Sequence, residues 1–143
     1  MREIVLDTET TGLDPMQAEL VGISLSVTAG VACYIPVAHR QGAPGGELDL
    51  AGEGGGLVKG QIPRDKAVKA LKPLLEDPGV LKVGQNIKYD ALVFARHGIE
   101  VAPIDDTMLL SYVIEGGLHG HGMDELAELH LGHKTIKLSL IHI

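Results

Sequence analysis

An α/β domain is what this sequence predicts. Its opening third alternates apolar and polar residues at period two, as strands do. Later segments carry apolar residues at helical spacing, and one short apolar strand at Val80 to Val83 runs straight into a helix.

The bulk numbers suit one domain. At 143 residues the chain is long enough to bury a core, and 45% apolar with 22% charged residues is ordinary for a globular protein. Aromatics make up 3% and Trp is absent, so the core must be aliphatic. The single cysteine, Cys33, excludes an intrachain disulfide and fits a reducing cytosol; inside an apolar strand it reads as packing rather than nucleophile. No basic, apolar leader precedes the first strand and no apolar run reaches membrane-spanning length, so a cytoplasmic protein without membrane contact is expected. A formal net charge of −7 argues against gripping duplex DNA by a broad basic surface. It leaves room for a site that handles a few phosphates through bound cations.

The first strand is Ile4-Val5-Leu6-Asp7-Thr8-Glu9-Thr10-Thr11, closed by a turn at Gly12-Leu13-Asp14-Pro15. Leu20 to Thr28 forms the second, with Val21, Ile23, Leu25 and Val27 on the face expected to be buried. Val31 to Val37 returns as a third, and Pro36 marks its end or a sheet edge. Three consecutive antiparallel strands follow from this pattern. Residues 41–60 are rich in glycine but lack GxxxxGK[ST], so a flexible surface loop is expected and not a phosphate cradle.

Pro63 to Leu75 reads as a helix, with Val68, Leu71, Leu74 and Leu75 as its apolar stripe and Lys66, Lys69 and Lys72 as a solvated face. Pro73 implies a kink or an early stop. After the strand at Val80, Gly84-Gln85-Asn86 leads into a helix running to about His97 and closed by Gly98. Asn86 and Asp90, four apart, are expected on one face of that helix. The apolar segment Ile99 to Ile104 follows, then Asp105-Asp106-Thr107 opens a helix through Ile114. A Gly/His loop spans 116–122, and Asp124 to Leu131 is a short amphipathic helix ended by Gly132.

The chemistry centres on Asp7 and Glu9. Two residues apart on a strand, they project from the same side, and adjacent carboxylates repel unless one is protonated or a cation lies between them. A hard divalent cation such as Mg²⁺ or Mn²⁺ is the natural partner, the alternative being a strand end that faces solvent. Asn86 reads either as a helix cap or as a site residue, Tyr89 as core or site, and Asp106 as a helix cap. His119, His121, His130 and His133 raise the question of zinc, but they lack Cys partners and a recognised ligand spacing, and His130 and His133 suit a helix C-terminus for ordinary reasons.

"VLDTETTGLDP" resembles the first motif of the DEDD-type 3′→5′ exonucleases, and "VGQNIKYDALVFARHGIEV" the second. With "YIPVAH", "LKPLLED", "DDTMLLSYVI" and "MDELAELHLGHKTI", the chain more narrowly resembles the proofreading exonuclease domains of the bacterial DNA polymerase I family. The resemblance implies an RNase H-like mixed sheet with flanking helices and two-metal hydrolysis at a DNA 3′ end, single-stranded or frayed, with release of nucleoside monophosphates. It implies two divalent cations, Mg²⁺ or Mn²⁺, held by Asp7, Glu9 and Asp90. Asp7 would bridge both ions, Glu9 would bind the first and orient water, and Asp90 would hold the second. Thr10 and Leu13 match positions that contact the terminal nucleotide, and Gln85, Asn86 and Tyr89 match positions that bind the frayed strand. A polymerase domain in the full-length parent is implied as partner. An RNA-trimming exonuclease of the same superfamily and a non-catalytic module that holds a 3′ end are the competing readings.

The family's third motif, Tyr-x3-Asp, has no counterpart in these 143 residues. Gly120 stands where relatives often carry an arginine. Residues 1–137 are therefore expected to be a partial exonuclease domain, C-terminally incomplete, with 138–143 a tail not native to it. The chain alone is expected to be inactive or nearly so.

Overall fold

A computed structural model of the chain describes residues 2–40 and 56–136. Its strands are β1 (Arg2–Thr10), β2 (Leu20–Thr28), β3 (Val31–Pro36), β4 (Val80–Gly84) and β5 (Ile104–Asp106). Its helices are α1 (Arg64–Leu75), α2 (Lys88–Arg96), α3 (Thr107–Glu115) and α4 (Met123–Leu131). The strands form one sheet in the order β3-β2-β1-β4-β5. β1, β2 and β3 pair antiparallel, as the alternation predicts, while β4 and β5 join parallel to β1 through helical crossovers. The central strand therefore carries the acid pair.

Alternation along β1 buries Ile4 and Leu6 on one face and leaves Val5 half-exposed on the other. The buried face packs with Leu20, Ile23, Leu75, Val93 and Phe94 into one aliphatic core closed by α1 and α2. Phe94, the chain's one phenylalanine, is wholly buried there. A Cβ at Gly22 would lie 1.9 Å from the Tyr34 hydroxyl on the neighbouring strand, so any side chain there displaces the tip of that exposed ring.

Several sequence expectations need correction. β2 is buried on both faces from Leu20 to Ile23, where the chain crosses the centre of the fold, whereas Val27 near its far end is 77% exposed. Cys33 lies exposed on the edge strand β3 and packs in no core. Pro73 does not stop α1, which continues to Leu75, and Lys72 at its end reaches the Glu76 carboxylate and the Gly98 carbonyl. α2 begins at Lys88, so Asn86 precedes the helix and does not share a face of it with Asp90. Asp105 and Asp106 end β5 and α3 starts after them. α4 buries none of its residues, so the amphipathic pattern at 124–131 has no core to face among the described residues.

The Gly-rich loop expected over 41–60 and the tail expected at 138–143 fall largely or wholly outside the described residues. No helix among the described residues is long and apolar enough to cross a membrane.

Lys82, like Phe94, is among the largest wholly buried side chains of the described residues. It lies on β4, and its ammonium donates to the carbonyls of Asp77 at 2.9 Å, Val80 at 2.8 Å and Ala102 at 2.5 Å. Three carbonyl dipoles replace its hydration shell, while burial pulls its pKa below the usual lysine range. This lysine fixes the start of β4 against the segment that leads into β5.

Candidate active site

Strand alternation sets Asp7 and Glu9 on the face of β1 opposite the core. Asp7 pairs in register with Ser24 and Glu9 with Gly22 on β2, next to the bulge at Thr10. No hydrogen bond or ion pair from a described residue reaches either carboxylate. Burial pushes the Asp7 pKa up, and burial followed by the Asp7 charge does the same for Glu9. The pair is thus two neighbouring acids with no cationic side chain among the described residues paired to them.

Asp90 reaches the same strand from α2. It sits in the first turn, 3% exposed, and accepts a hydrogen bond from the hydroxyl of Thr8, the residue between the two acids. Desolvation raises its pKa to about 6; the Thr8 bond opposes that rise and the Asp7 charge adds to it. Asp7 is therefore the electrostatic centre, coupled to Glu9 on one side and to Asp90 on the other. Sequence reasoning missed Thr8. Its signal was a hydroxyl at the core-facing register position of an otherwise apolar strand.

The residues expected to meet substrate also gather here. Tyr89, one position before Asp90, places its hydroxyl 2.6 Å from Thr10 Oγ1 and donates to the Gly12 carbonyl, while Thr10 donates to the same carbonyl at 3.0 Å. These bonds pin the turn after β1 against α2. Leu13 stands on that turn 96% exposed, an apolar side chain with no protein partner to cover it. Tyr89 is partly buried and packs on the core through its ring, the first of the two roles considered for it.

Asn86 adopts φ 59°, the single left-handed non-glycine residue among the described ones. A short polar side chain tolerates that region better than most, which accounts for an Asn at this bend. Its side chain accepts from Lys88 and caps no helix. Asp106 holds the bend: Oδ1 accepts from the Asn86 amide and from the Met108 amide, both at 2.9 Å, so one carboxylate fixes the bend and caps α3. Gln85 is tied on both ends, donating to the His121 carbonyl at 2.8 Å and accepting from Thr107 Oγ1 at 2.5 Å. Its amide keeps one further N–H and one lone pair for a ligand.

Beside Asp7 opens a cleft of about 660 Å³, floored by Val5, Val83 and Gln85 and walled by α3 and α4. Its lining is mainly apolar, with Asp7 at one side.

A family profile described as 3′-5′ exonuclease matches residues 1–142. A DNA polymerase I of Rhizobium leguminosarum is 49% identical over 142 residues, spanning 93% of this chain and 13% of that protein. The chain thus spans about an eighth of the length of that relative. Among solved structures, Brucella melitensis NrnC with bound Mg²⁺ aligns with a TM-score of 0.68 at 22% identity, covering 95% of this chain and 56% of the other. Escherichia coli RNase D, an exoribonuclease involved in structured RNA processing, aligns with a TM-score of 0.62 at 21% identity over 96% of this chain and 30% of its own. At these identities the two structures speak to fold.

Proposed function

Because the chain belongs to the 3′-5′ exonuclease family and is homologous to the exonuclease region of DNA polymerase I, we propose that it hydrolyses the terminal phosphodiester of a single-stranded or frayed DNA 3′ end, releasing nucleoside monophosphates. The observation that carries the reading is the coupling of Asp7 to both Glu9 and Asp90 at the end of the central strand, with no cationic side chain among the described residues paired to any of them.

The donor set fits divalent cations. All three groups are carboxylates, the chemistry that hard ions of the Mg²⁺ or Mn²⁺ type prefer, and burial raises the pKa of each in the absence of compensating charge. When bound, two such ions supply the charge that activates the attacking water and offsets the leaving 3′ oxygen. In this reading Asp7, Glu9 and Asp90 would hold the ions, Asp7 serving both, Glu9 the first together with the attacking water, and Asp90 the second. Thr10 and Tyr89 brace the turn that carries Leu13, whose exposed side chain stacks on the terminal base. The left-handed bend at Asn86 and the remaining polar valences of Gln85 line the path of the frayed strand.

That the Rhizobium relative is a much longer DNA polymerase I supports a polymerase domain as the partner in a longer parent, and the cytoplasm is proposed as its place. RNA trimming is the second reading, since the fold is common to RNase D and to a DNA polymerase and does not separate the two substrates. A non-catalytic scaffold is disfavoured by the three acids.

These 143 residues contain no Tyr-x3-Asp. Three carboxylates leave the first ion with few protein ligands, so the polypeptide by itself is proposed to be inactive or nearly so. The test uses 3′-labelled single-stranded DNA and RNA with Mg²⁺, comparing the 143-residue chain with one extended through the corresponding region of the Rhizobium relative. Release of labelled monophosphate from DNA by the extended chain, lost on Asp7→Asn, supports the reading. Preference for RNA would favour the second reading, and absence of hydrolysis would overturn both.

A further inference from the structure

In the α3 and α4 walls of the cleft that Asp7 borders, Glu115 at the end of α3 and His130 near the end of α4, with His119 in the loop after α3, bring their ligand atoms within 4.8 Å of one another. Among the described residues this is the one group of three metal-ligating side chains so closely gathered. Glu115 Oε2 lies 3.0 Å from His119 Nε2 and 3.3 Å from His130 Nε2. Ligands about 2.0–2.1 Å from a tetrahedral zinc ion are separated by about 3.3 Å along each edge. Both distances are near that length.

The tautomer of His119 sharpens the point. Its Nδ1 lies 2.6 Å from the Gly120 carbonyl, which can only accept, so Nδ1 carries the hydrogen. Neutral His119 then turns a bare lone pair at Nε2 toward a carboxylate oxygen that also has only lone pairs. Something positive must stand between them, either a second imidazole proton or a metal ion. An imidazole whose far N–H is fixed by a carbonyl is also how proteins orient histidine ligands. The Gly120 backbone is held in turn by its own N–H, which donates to Glu125 at 2.9 Å. His119 itself is only 16% exposed at its side chain.

The location gives the site a role. α4 buries no residue and α3 buries only Ser111, while Leu110, Val113, Ile114, Leu129 and Leu131 remain exposed along the pair. Packing therefore contributes little to holding α3 against α4. We propose that Glu115, His119 and His130 bind one divalent transition-metal ion, zinc by choice of ligands, with water as the fourth ligand, and that this ion staples α3 to α4. The site shares no ligand with Asp7, Glu9 and Asp90, although Glu115 and His130 line the same cleft as Asp7, and it differs from them in metal preference, imidazole nitrogen against all-oxygen donors.

The test is titration of the 143-residue chain with Co²⁺ as a spectroscopic stand-in, followed by Zn²⁺ competition. The expected result is a tetrahedral Co²⁺ visible spectrum saturating at one ion per chain and displaced by Zn²⁺. His119→Ala and His130→Ala should abolish it, Glu115→Gln should weaken binding by about tenfold or more, and Asp7→Asn should leave it intact. Absence of the spectrum in the unmodified chain would overturn the proposal and leave a protonated His–Glu cluster. A spectrum that survives both histidine variants would overturn it equally. Should a histidine variant fail to fold, diethyl pyrocarbonate labelling of the unmodified chain decides: Zn²⁺ is expected to protect His119 and His130, and equal labelling with and without Zn²⁺ contradicts the site.

Discussion

Thr8 Oγ1 donates a hydrogen bond to Asp90 Oδ1 and so ties the central strand to α2 across 82 positions of sequence. The bond is the neutral support of a carboxylate that is otherwise taken out of water. Thr8→Val keeps the β-branched shape and removes the donor. The expected result is a loss of about 1–3 kcal/mol in folding stability at pH 7.5, read by urea denaturation, with a smaller loss at pH 5 where Asp90 is protonated. An equal loss at both pH values would show that the hydroxyl acts through packing.

Asp90 itself should make the metal-free protein less stable as pH rises. Its folded pKa is about 6 against an ordinary 3.8, so between those values the folded state keeps a proton that the unfolded chain has released. Stability from this group is therefore highest below about pH 4 and falls as pH rises through about 6, by about 3 kcal/mol in all. Asp7 and Glu9, also raised, act in the same direction. Glu19 and Glu76, held low by hydrogen bonds from Arg64 and Lys72, act in the other. The clean comparison is therefore with Asp90→Asn, which is expected to be more stable than wild type at pH 7.5 in chelator and to show a flatter pH profile. Identical profiles in denaturant unfolding would contradict this account of the buried acid.

Replacing Asp106 tests whether it is a cap and not a ligand. Asp106→Ala removes the acceptor shared by Asn86 and Met108. A loss of about 2 kcal/mol in stability is expected, with Mn²⁺ affinity changed far less than in Asp7→Asn. Loss of Mn²⁺ binding on the scale of the Asp7 variant would make Asp106 part of the metal site.

Much of this was legible in the sequence, for definite reasons. Period-two alternation placed Asp7 and Glu9 on one face, and it found all three antiparallel strands, because strand geometry leaves little choice of face. The parallel addition of β4 and β5, which makes the sheet RNase H-like, came from motif order and resemblance. Periodicity failed where a residue answers to tertiary partners. Asn86 sits at helical spacing from Asp90, yet a left-handed bend held by Asp106 puts it outside α2. Asp105 reads as part of a helix start, but pairing with Val83 draws it into β5, whereas Asp106 pairs with Gly84 and still caps α3 as read. The sequence raises zinc for His119 and His130 but does not join Glu115 to them, because the end of α3, the loop that carries His119 and the end of α4 meet only in the folded chain.

Lys82→Met offers a test of the buried ammonium. Methionine fills much the same space but leaves the carbonyls of Asp77, Val80 and Ala102 without their donor. A loss of about 2–4 kcal/mol is expected, since unsatisfied buried acceptors outweigh the relief of removing a buried charge. A gain in stability on urea denaturation would mean that the desolvation cost of the lysine is the larger effect.

The central claim is that Asp7, Glu9 and Asp90 act together on divalent cations. Its most direct test is Mn²⁺ titration of the 143-residue chain, read by loss of the free-ion electron paramagnetic resonance signal, beside Asp7→Asn. Carboxylate-dependent binding in wild type, weakened by about tenfold or more in the variant, is the expected result. Equal Mn²⁺ uptake by both proteins, or none by either, would contradict it.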